Sequence, residues 1–149
     1  MLIRKLLIYT LSCLAFASPL AAQDHEAHGN GVRSPLLKIM TDLGEAMNRF
    51  NDGLFKEDYV AIAKAAEDVA AHPQVLPEEM EKISKTLGKD MAKFKQWDMA
   101  AHESAASAAK EAKEKKMDGV LKFQEKTMNA CISCHTQFRK RVKDALGPK

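Results

Sequence analysis

Between Leu36 and Val142, apolar side chains recur every third or fourth residue, interrupted only by His72-Pro73 and short polar stretches. That spacing is one face of an α-helix, and nowhere does it give way to the strict alternation of a half-buried strand. The first run, Leu36, Met40, Leu43, Met47, Phe50 and Leu54, opens at Ser34-Pro35, with Ser as N-cap and Pro at the first helical position. Gly53 reads as its stop. A second helix is expected over 57–71, with Tyr59, Ile62, Ala66, Val69 and Ala70 inward, followed by a short helical turn after Pro77 that carries Glu78 and Glu79 in its first turn. The third runs over 89–116, with Met91, Phe94, Trp97, Ala101, Ala105, Ala108 and Ala112 inward, and its Ala-rich half admits a close neighbour. The fourth starts at Asp118 as N-cap and reaches Leu146, before Gly147-Pro148. Its stripe is Leu121, Gln124, Met128, Cys131, Cys134 or His135, Phe138 and Val142. Aromatic residues make up only 6% of the chain, and β-branched ones are scarce beside Ala, Lys, Glu, Met and Leu. The expected fold is all-α, an antiparallel up-down-up-down four-helix bundle over 34–149, without internal repeat or second domain.

The N-terminus reads as an address. Arg4 and Lys5 precede an apolar run over 6–17, then Pro19 and the small residues Ala21 and Ala22, the order of a secretory signal peptide cleaved after Ala22. The run is shorter than the roughly 20 residues of a membrane-spanning helix, so the mature form is expected to have no membrane span and to work in the periplasm. Residues 23–33 lack apolar periodicity and read as a flexible tail. The formal charge of +3 falls to +1 once Arg4 and Lys5 are removed, and no basic run interleaved with aromatics points to nucleic acid.

Cleavage also removes Cys13 and leaves two cysteines in Cys131-Ile132-Ser133-Cys134-His135. Cys-x-x-Cys-His is the pattern by which haem c is attached. Residues three and four apart share a helix face, so both thiols and the imidazole can address one cofactor: two thioether tethers and one axial iron ligand. A thioredoxin-like pair needs a strand-helix context that the sequence lacks. A structural zinc site needs four ligands, and no second cysteine pair supplies them. A disulfide across this helical spacing is strained. His25-Glu26-Ala27-His28 falls one residue short of the His-Glu-x-x-His zinc signature and reads as solvated.

A near C-terminal Cys-Ile-Ser-Cys-His followed by Thr136-Gln137-Phe138-Arg139, on the last of four helices, resembles the cytochrome c-prime family, the class II c-type cytochromes. The likeness spans the mature chain in helix order, and in residues it is confined to the fourth helix and, loosely, the first. The resemblance implies one covalent haem c with His135 as the proximal ligand, redox proteins as partners, and a homodimer through the first two helices. Phe138, one turn past Cys134, is placed to pack on the haem.

The sixth iron position separates the functions that the family carries. Met40-Thr41-Asp42-Leu43-Gly44 is similar to the ligand segment of the low-spin members, which implies Met40 as sixth ligand and a one-electron carrier. Met47 is the runner-up, and flush helix ends would favour it, whereas an overhanging last helix favours Met40. In high-spin members the iron is five-coordinate and binds nitric oxide or carbon monoxide. Those members often carry an Arg four residues before the blocking position. Leu36 stands there when the count starts from Met40, so no propionate contact carries over. His102 is a third candidate ligand. The apolar first-helix stripe offers no acid or base, so an enzyme such as a peroxidase is the least expected reading. The basic end of the last helix, Arg139, Lys140, Arg141 and Lys143, reads mainly as a solvated face, part of which can meet a propionate or an acidic partner.

Overall fold

The computed structural model describes residues 34–147. The signal-peptide and tail readings, with Cys13, His25 and His28, lie outside them, as does Pro148. The described residues form an all-helical bundle: α1 (Pro35–Lys56), α2 (Tyr59–Ala70), α3 (Pro77–Leu87), a 3-10 turn (Gly88–Asp90), α4 (Met91–Lys113) and α5 (Met117–Leu146). None of these helices is long and apolar enough to cross a membrane.

Successive long helices run antiparallel. Gly53 of α1 lies against Ile62 of α2 while Arg49 pairs with Asp68, and Ser104 of α4 meets Thr127 of α5 while Asp90 meets Arg141. Small residues set the α2–α4 spacing. Ala63, Ala65 and Ala66 pack with Ala108, Ala109 and Ala112 in a core that also holds Phe50, Ile62 and Val120. The short α3 closes the end of the bundle where α1 begins and α5 finishes, around Leu36, Ile83, Leu87, Phe138 and Val142.

Several helix boundaries have other causes than the sequence suggests. Ser34 occupies the N-cap position but makes no cap bond within α1. Its hydroxyl donates to Glu79, whose second carboxylate oxygen accepts from the Leu36 N–H at 2.9 Å. Buried Glu79 of α3 therefore caps α1 from another helix, a charge-assisted contact at the positive end of the helix dipole. Gly53 does not stop α1, which continues to Lys56 and turns at Glu57 in the left-handed region, φ 52°. The Asp58 N–H reaches back to the Gly53 carbonyl at 2.9 Å, and the Asp58 side chain caps α2. Asp118 lies within the first turn of α5 rather than at its cap, and Leu121 points outward, 47% exposed. On α1 the buried stripe is Leu36, Ile39, Ala46, Phe50 and Gly53, so Met40 sits on its flank.

Gly53 serves close approach. A Cβ there would stand 2.9 Å from Ile62 Cγ1 and 3.2 Å from the Ile62 backbone nitrogen, and Ile62 is wholly buried. Gly53→Ala is therefore expected to destabilise, because overpacking of about 1–3 kcal/mol exceeds the roughly 1 kcal/mol gained in helix propensity. Glu57→Gly, which relieves a left-handed non-glycine residue, should stabilise by about 1 kcal/mol. Chemical denaturation of both variants checks the opposite signs.

Candidate functional site

α5 carries the Cys131–His135 motif near the middle of its 30 residues. Cys131 and Cys134 are free thiols, half-buried on the inner side of the helix. Cys134 packs against the cluster of Leu36, Ile83, Leu87, Phe138 and Val142. Phe138 is buried and meets Phe94 edge-to-face at a ring separation of 5.8 Å, so its packing partner in this structure is the bundle core.

One hydrogen bond fixes what faces the motif. Gln124 Nε2 of α5 donates to Asn51 Oδ1 of α1 at 3.2 Å. On α5, Gln124, Met128, Cys131 and His135 follow one another at intervals of four, three and four, a single stripe of the helix. On α1, reading backward from Asn51, Met47, Gly44 and Met40 form the matching stripe. The two helices are antiparallel, as Leu36 near the start of α1 clusters with Phe138 and Val142 late in α5. Met40 is eleven residues before Asn51 and His135 eleven residues after Gln124, about 16 Å along each helix. Met40 thus stands at the level of His135, on the flank of α1 that faces α5. Met47 stands a full two turns away, lining a narrow interior crevice with Phe50, Gln124 and Thr127. Flush helix ends do not describe the bundle, because α5 overhangs α1.

Two further features lie on this side of the molecule. A Cβ built on Gly44 meets nothing within 4 Å, so α1 leaves open space opposite Cys131. Trp97 Nε1, in the cluster that Cys134 joins, is buried and has no hydrogen-bond partner. The spacing of Trp97 in the sequence places it inward and gives no signal of the unpaired N–H.

The electrostatics sort the possible chemistries. Burial raises the Cys131 thiol pKa and pushes that of Cys134 up to about 11, helped by the negative charge of Asp98. A redox-active pair needs a depressed pKa and an electropositive surrounding, and these thiols have neither. For His135, burial and then the neighbouring Arg139 charge lower the pKa, which favours the neutral imidazole, the form that binds a metal. Two thiols, an imidazole whose neutral form is favoured and a thioether at the same level are the donor types that a covalently held haem would use.

His102 is engaged elsewhere: its Nδ1 donates to the Ala70 carbonyl at 2.7 Å, on the α2 side of α4. Arg141 is not a free part of a basic face, for its guanidinium bonds Asp90 at 2.7 Å and the Thr86 and Leu87 carbonyls, tying α5 to the α3–α4 corner. Lys140 pairs with Asp144, while Arg139 and Lys143 remain exposed. Comparison of the chain with protein-family models, curated proteins and solved structures finds no match.

The thiol environment is testable in the chain carrying free cysteines. A shift from 9.0 to about 11 leaves about 100-fold less Cys134 thiolate at pH 8. Alkylation of Cys134 by iodoacetamide should therefore be slower by about that factor in the folded chain than in urea. Equal rates would contradict the burial.

Proposed function

We propose that the chain is a periplasmic c-type cytochrome of the cytochrome c-prime kind, a one-electron carrier on a four-helix bundle. The observation that carries the reading is the register of α1 against α5, which brings Met40 level with His135 on facing stripes. In this reading Cys131 and Cys134 would hold haem c through thioethers, and His135 and Met40 would supply its iron ligands. When bound, the haem supplies a one-electron ferric–ferrous couple.

The chain's own residues do the rest. The neutral His135 imidazole gives a nitrogen donor on α5. The Met40 thioether, as an iron ligand, would raise the reduction potential and exclude small ligands. Met47, Phe50 and Thr127 pack the interior two turns away from Met40. The Trp97 N–H, buried without a partner, is free to donate to an acidic group of a cofactor on the Cys134 side. The stripe Met40, Gly44, Met47 carries no acid or base, which supports an electron carrier over an enzyme. Exposed Arg139 and Lys143 suit docking to an acidic redox protein.

One observation favours the alternative, a five-coordinate protein that binds nitric oxide or carbon monoxide: Met40 is 37% exposed and is not held by packing. The Met40→Ala and Met47→Ala variants separate the two. If Met40 is the ligand, Met40→Ala turns the low-spin ferric spectrum high-spin, lowers the potential and barely alters folding stability. Met47→Ala then keeps the spectrum and costs about 1–2 kcal/mol from lost packing. An unchanged spectrum in Met40→Ala overturns the assignment.

A further inference from the structure

His72, Asp98 and His102 converge on the rim of the bundle where α2 ends against α4. His102 and Asp98 are one turn apart on α4, and His72 stands two residues past the end of α2. His102 Nδ1 bonds the Ala70 carbonyl at 2.7 Å, and His72 Nδ1 bonds the Pro73 carbonyl at 2.8 Å. A carbonyl only accepts, so each ring carries a proton on Nδ1, and in its neutral form each imidazole keeps its lone pair on Nε2. Both Nε2 atoms face the same oxygen, Asp98 Oδ1, at 3.9 Å from His72 and 3.8 Å from His102. The ring centroids are 4.3 Å apart and tilted by 33°. All three ligand atoms lie within 4.8 Å of one another. Three acceptors thus converge with no hydrogen among them, at separations too long for direct hydrogen bonds. Around one Zn²⁺ with bonds of about 2.0–2.1 Å, neighbouring donors stand about 3.3 Å apart, so small side-chain rotations close the set.

We propose that His72, Asp98 and His102 bind a divalent transition-metal cation of the Zn²⁺ class, at a site separate from the motif on α5. Two imidazoles and one carboxylate suit a borderline cation, and a purely oxygen-seeking Ca²⁺ or Mg²⁺ would find too few ligands. The backbone bonds to both Nδ1 atoms are the outer-shell arrangement that fixes the tautomer and aim of metal-binding histidines. The Asp98 side chain is 53% exposed, so the cation enters from solvent and the fourth position falls to water. The cation would clip the segment after α2 to the middle of α4. None of this rests on the cytochrome reading.

The test is calorimetric titration of the full mature chain with ZnCl₂, in wild type and in His72→Ala, His102→Ala and Asp98→Asn. Because the thiols and the N-terminal histidines can also bind zinc, the readout is stoichiometry. Each variant should lose one equivalent of zinc, with its helical circular dichroism retained. In wild type, zinc should shift the imidazole ¹H–¹⁵N resonances of His72 and His102, a readout that needs no variant to fold. Undiminished stoichiometry in either histidine variant, or zinc that leaves both sets of resonances in place, overturns the site.

Discussion

The bond between Asn51 and Gln124 joins two helices that do not follow one another in the chain, and the candidate site depends on the register it marks. A half-buried amide pair of this kind is worth only about 0.5–1.5 kcal/mol. Its value lies in direction: it tells which flank of α1 looks at α5, and at what height. The far end is held independently. There Glu79 caps α1, and Leu36 sits among Ile83, Leu87, Phe138 and Val142. Between these two fixed points α1 can neither slide nor roll by a residue without burying Lys38 or exposing Phe50. Met40 opposite His135 is a consequence of that double anchorage.

The same architecture separates packing from chemistry. α2 and α4 meet through alanines, which lets the two helices pack closely. α1 and α5 meet through the Asn51–Gln124 bond and around Leu36, and a Cβ at Gly44 would meet nothing within 4 Å. A cofactor held on α5 would face the flank of α1 that carries Met40, Gly44, Met47 and Asn51. Thiols raised by burial are poor nucleophiles, and an imidazole held neutral is a good metal ligand. The thiol shifts point away from thiol redox chemistry.

Much of this was legible in the sequence, and what was not has identifiable causes. The order of the four longer helices follows from apolar spacing and turn residues, which are local properties, whereas the short turn expected after Pro77 is an 11-residue helix, α3. The N-terminal cap of α1 was misread because its acceptor, Glu79, comes from 43 residues away. Gly53 carries the same signature whether it ends a helix or admits a neighbour, and only the nearness of Ile62 tells which. Arg141 looked like one more basic surface residue until Asp90 and two carbonyls appeared beside it. On α1, a shift of the buried stripe by one residue in each turn moved Met40 from the core to the flank. The chain therefore encoded the donor set in plain view while leaving its alignment to tertiary contacts. His72 and His102, 30 positions apart, could not be paired by any local rule.

The central claim is that α5 holds a haem whose iron is closed off by a residue from α1. The visible absorption spectrum of the reduced mature protein, recorded before and after carbon monoxide, tests it most directly. The account predicts sharp, resolved low-spin bands that carbon monoxide leaves unchanged. Broad bands that shift with carbon monoxide would contradict ligation from α1, and a protein without haem bands, made in a host able to attach haem, would contradict the whole reading.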